Sequence, residues 1–79
     1  MKKIEHIGIA VKNIQTSNLL FTSLFGKEPY KTEIVESEGV STSFFQVGPN
    51  KIELLQSLDP MSAISKFIDK RGEGVHHIA

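Results

Sequence analysis

Three histidines carry most of the chemistry this sequence can offer. His6 lies in the run Ile4-Glu5-His6-Ile7-Gly8-Ile9-Ala10-Val11, and the other two in Val75-His76-His77-Ile78-Ala79. The chain has no cysteine. Disulfides and thiolate sites are therefore excluded, and a metal would have to be held by His, Asp, Glu or amide groups. Taken by itself, a strand histidine such as His6 is more often a hydrogen-bonded structural residue than a ligand, and a strand glutamate such as Glu53 is usually solvated.

The elements that must position these residues follow from periodicity. Ile4 to Val11 alternates as a strand, with Glu5, Ile7, Ile9 and Val11 on one face and Ile4, His6, Gly8 and Ala10 on the other. A histidine beside two very small residues leaves room above the sheet, which is the first sign of a cleft. Asn13 caps a predicted helix running to Phe25, with Ile14, Ser17, Leu20, Phe21, Leu24 and Phe25 as its apolar stripe and Gly26 as its stop. Three strands are predicted next, at Pro29 to Glu36, Val40 to Val47 and Lys51 to Leu58, separated by short breaks suited to antiparallel hairpins. In the last of these, Glu53 shares a face with Lys51, Leu55 and Ser57, opposite Ile52, Leu54 and Leu58.

Asp59-Pro60 reads as the start of a second helix, with Met61, Ile64, Phe67 and Ile68 on its core side and Gly72 at its end. The closing Val75-His76-His77-Ile78-Ala79 then repeats the opening pattern: aliphatic, any residue, His, Ile, small. It reads either as the first strand of a second copy of the unit or as a chance likeness between two short strands. By alternation, His76 and His77 point to opposite faces.

At 79 residues the chain is one small domain, near the size at which a single core is only marginally sufficient without staples or a partner, so extra burial from elsewhere is expected. Nine basic and nine acidic residues give no net charge, which argues against a nucleic-acid partner. Apolar runs are too short to span a bilayer, and Met1-Lys2-Lys3 leads into a strand rather than a signal-peptide core, so no membrane association is expected. A cytoplasmic location fits this composition.

The order βαβββ, with a histidine in the first strand that recurs after a connecting helix, resembles the vicinal oxygen chelate (glyoxalase/bleomycin resistance/dioxygenase) superfamily. Within it, His6-Ile7-Gly8-Ile9-Ala10-Val11, Phe25-Gly26, Glu38-Gly39-Val40, Lys51-Ile52-Glu53-Leu54-Leu55 and Gly74-Val75-His76-His77-Ile78-Ala79 look like the methylmalonyl-CoA epimerases, in their N-terminal half. The expected fold is α+β. Residues 1–58 form a first βαβββ module, 59–74 a connecting helix and loop, and 75–79 the start of a second, truncated module. The resemblance implies a divalent metal held by His6, Glu53 and His77, with a further ligand late in the second module. Two imidazoles and a carboxylate suit cobalt, which is the first expectation, or zinc, nickel or manganese.

The implied reaction is R/S interconversion of methylmalonyl-CoA by proton removal and return at C2, the metal stabilising the developing enolate charge. Some family members place a glutamate base in the strand after the Gly-Val step, where this chain has Thr42, a poor base at neutral pH. Gln46 and Gln56 cannot serve as carboxylate bases, and Glu36 and Glu38 read as solvated hairpin residues. No catalytic residue is therefore assigned. The implied partner is an acyl-CoA substrate. Isolated Lys31, Lys51 and Lys66 could meet its phosphates or simply be solvated. A homodimer could rebuild the cup from two half-chains. A glyoxalase I-like lactoylglutathione lyase and a non-catalytic protein that binds or sequesters a small molecule such as an antibiotic are the alternative functions.

Overall fold

The computed structural model describes residues 4–79; the charged lead-in Met1-Lys2-Lys3 lies outside the described residues. The elements are β1 (His6–Ala10), α1 (Ile14–Phe25), β2 (Lys31–Val35), a 3₁₀ turn (Glu36–Glu38), β3 (Val40–Val47), β4 (Asn50–Ser57), α2 (Ala63–Arg71) and β5 (Gly74–Ile78). The five strands form one sheet in the order β2-β3-β4-β1-β5. β1 runs parallel to β4, and the other neighbours are antiparallel. A parallel pair needs a long crossover, which α1 and the β2–β3 hairpin supply. The fold is α+β, as the residue pattern implied.

Strand alternation gives the sheet two working faces. Ile9, Val11, Phe45, Ile52 and Leu54 pack under Ile14, Phe21 and Phe25 of α1. Phe45 and Leu54 are fully buried, and each such side chain contributes about 1.5–3 kcal/mol on leaving water. On the other face Ala10, Val40 and Leu55 pack against Ile64, Phe67 and Ile68 of α2. His6, Gly8 and Glu53 lie on this second face beside the patch that α2 covers.

Three sequence expectations are corrected. The buried stripe of α1 is narrower than periodicity suggested: Leu20 and Leu24 are 57% and 66% exposed, because the helix rests on the sheet along the single line Ile14–Phe21–Phe25. Asp59-Pro60 does not begin α2. The Asp59 carboxylate accepts from the Met61 N–H at 2.9 Å, closing a local turn of the kind Asp favours. Ser62 is the cap instead, its Oγ accepting from the Ser65 N–H. Met61 consequently falls outside the helix and is 72% exposed rather than core. Finally, the space above Gly8 and Ala10 is largely filled by protein, by the His77 ring over Gly8 and by α2 over Ala10.

Candidate metal centre

Gly8 sits at the middle of the candidate site. In register it pairs with Glu53 on β4 and with His77 on β5, and His6 precedes it by two residues on the same face. Three neighbouring strands thus deliver His6, Glu53 and His77 to one place. A Cβ at position 8 would overlap the His77 imidazole, so the absence of a side chain is what lets that ring lie flat on β1.

One nitrogen from each imidazole and one Glu53 oxygen lie within 4.8 Å of one another. The two Nε2 atoms share a hydrogen bond of 3.0 Å, and His6 Nδ1 is 3.6 Å from Glu53 Oε2. All three residues are partly buried. Donors around a first-row divalent ion at about 2 Å stand roughly 3–3.5 Å from each other, so these side chains fit such an ion with small adjustments. Partial burial, and then repulsion from His6 and His76, hold the His77 pKa below its ordinary value against the pull of Glu53 and Glu38. That favours the neutral imidazole, which is the form able to ligate a metal.

Glu53 and His77 open into a cleft of about 490 Å³ whose walls include Val40 and Thr42 of β3, Glu38 of the 3₁₀ turn and Ile64 of α2. Thr42 is 3% exposed. Glu38, read from sequence as a solvated hairpin residue, is exposed but stands on the rim of this cleft. Glu33, which pairs in register with Thr42 and also lines the cleft, carried no signal in the sequence. Gln46 and Gln56 are engaged structurally. Gln56 Oε1 accepts from the Ile14 N–H at the start of α1, and Gln46 Nε2 donates to the Gly48 and Asn50 carbonyls. Lys31 and Lys51 pair with Glu33 and Glu5 on the surface.

His76 departs from the expectation most sharply. The β1–β5 register slips between Gly8 and Ile9, so that Gly8 pairs with His77 but Ile9 with Val75. His76 is the extra residue of a bulge, and both His76 and His77 line the cleft. Strand alternation placed them on opposite faces, and no local sequence feature announces a bulge whose cause is the pairing partner.

A five-stranded mixed sheet in the order β2-β3-β4-β1-β5 thus brings two imidazoles and a carboxylate together on one face. The chain belongs to the glyoxalase/bleomycin resistance protein/dioxygenase superfamily, whose sequence profile matches residues 5–79. Among its relatives, the uncharacterized protein YqjC of Bacillus subtilis is 38% identical over 79 residues, all of this chain and 56% of YqjC. A mitochondrial methylmalonyl-CoA epimerase of Dictyostelium discoideum is 35% identical, over 96% of this chain and 46% of the enzyme. A solved Streptomyces coelicolor methylmalonyl-CoA epimerase, in complex with 2-nitronate-propionyl-CoA, superposes with a TM-score of 0.91 at 32% identity, over 99% of this chain and 58% of that one. The chain spans about half the length of the curated relatives it matches. Among the described residues, no helix is long and apolar enough to cross a membrane.

Proposed function

We propose that this chain carries one half of the metal site of a methylmalonyl-CoA epimerase-like isomerase. The observation that supports it most directly is the convergence of His6, Glu53 and His77 from three adjacent strands. On this reading His6 and His77 ligate through imidazole nitrogen and Glu53 through a carboxylate oxygen. The ion, cobalt first and zinc, nickel or manganese otherwise, supplies a Lewis acid for the negative charge that develops when a proton leaves C2. The cleft beside the donors receives the acyl end of an acyl-CoA, in keeping with the ligand of the Streptomyces relative.

Inversion at C2 needs proton-transfer groups on both faces of that carbon. Thr42 supplies none at neutral pH, and the acid/base pair is not assigned to residues of this chain. Residues 75–79 are read as the opening strand of a second module, whose remainder, or a second copy of this chain, completes the donor set. The deciding measurement is deuterium incorporation at C2 of methylmalonyl-CoA in heavy water with cobalt, on this chain and on the longest polypeptide its reading frame encodes. Exchange above the uncatalysed rate that His6→Ala abolishes supports the proposal. Absence of exchange by folded, cobalt-loaded long protein overturns it, and turnover of a hemithioacetal would then favour the glyoxalase I-like alternative.

A further inference from the structure

The two ring nitrogens of His77 face two different imidazoles. Its Nε2 lies 3.0 Å from Nε2 of His6. Its Nδ1 lies 3.0 Å from Nδ1 of His76, the two rings standing nearly perpendicular with centroids 5.2 Å apart. A neutral imidazole has one N–H and one lone pair. If the Nε2 lone pair is to point at a cation between His6 and Glu53, the proton must sit on Nδ1, where it needs an acceptor. The atom in place is His76 Nδ1, which can accept only when His76 carries its own proton on Nε2.

His76 reaches this position through the bulge in β5, without which it would face away from the cleft. Its ring is held in turn by Phe67 of α2, edge to face at 5.1 Å, and Phe67 packs against the Ala10–Val40–Leu55–Ile64 cluster. A chain of packed groups therefore runs from the core under α2, through Phe67 and His76, to His77.

We infer that His76 is a positioning residue, which fixes the Nδ1–H tautomer and the ring orientation of His77 so that Nε2 is presented to the metal. The inference rests on His6, Glu53 and His77 being the ligands. Acceptors behind metal-binding histidines change affinity by roughly 10- to 100-fold when removed.

The test compares His76→Phe, which keeps a ring but no acceptor, with His76→Asn, whose amide oxygen can stand where Nδ1 stood. Cobalt titration by calorimetry is run beside long-range ¹⁵N–¹H spectra of the metal-free chain, which report the His77 tautomer. The expected result is a loss of cobalt affinity of roughly 10- to 100-fold in His76→Phe with a shift of His77 away from the Nδ1–H form, both substantially restored in His76→Asn. An unchanged tautomer and affinity in folded His76→Phe would overturn the role of His76 while leaving the metal site standing, provided His6→Ala abolishes binding. Cobalt binding unaffected by His6→Ala would overturn the metal reading, and the positioning role with it.

Discussion

Gly8 lies beneath the His77 ring, and any side chain there would occupy the same space. Gly8→Ala should therefore push the imidazole off β1, at about 1–3 kcal/mol of overpacking. On the proposed metal reading, cobalt affinity should fall by at least about tenfold, the scale on which disturbing the orientation of a ligating histidine acts. Thermal melting and calorimetric titration of the same sample separate the two effects. The depressed pKa of His77 makes a second prediction. Its ordinary value is 6.5, so the unfolded chain binds a proton more readily than the folded one. This contribution is complete above about pH 6.5 and is lost as pH falls from there toward the lowered folded value. The melting temperature of the metal-free chain should decline over that window, and His77→Gln should flatten the decline.

At the scale of elements, α2 closes one side of the cleft, and its start is set by a small hydroxyl network. Ser62 Oγ accepts from the Ser65 N–H at 3.0 Å and lies 2.7 Å from Ser57 Oγ, in a residue only 7% exposed. Ser62→Ala should cost about 1 kcal/mol as a lost cap, or a melting-point drop of roughly 4–8 °C in a domain of this size. Asp59→Ala, which removes one exposed turn contact, should cost less. The opposite order in thermal denaturation would return the cap to Asp59, where composition first placed it. On the other face Leu54→Ala, at a fully buried position beneath α1, should destabilise by about 2–5 kcal/mol.

The whole molecule presents two sheet edges, β2 and β5, with Ile34 and Ile78 more than half exposed along them. Unpaired edges invite pairing, and so small a core gains from a partner. Association into a dimer is the expected state in solution, with light scattering giving about twice the 8.8 kDa chain mass. A folded chain that remains strictly monomeric would exclude the rebuilding of a site from two copies.

Much of this architecture was legible in the residues. Asn13 and Gly26 bracket α1 as capping chemistry requires. Gly39 marks a positive-φ turn beside the cleft, and alternation located β1, β3 and β4 to within a residue or two. These are local signals, written in the neighbours of each residue, and so the sequence by itself determined them. Naming His6, Glu53 and His77 together took the family resemblance, since none of the three is distinctive in its own segment. What the tertiary structure decided is non-local. It slipped the β5 register so that His76 joined His77 in the cleft, and filled the space over Gly8 and Ala10 with a ring and a helix. A strand's period of two assigns faces only while its pairing partner keeps step, and the space above a small residue belongs to whatever the rest of the chain folds over it.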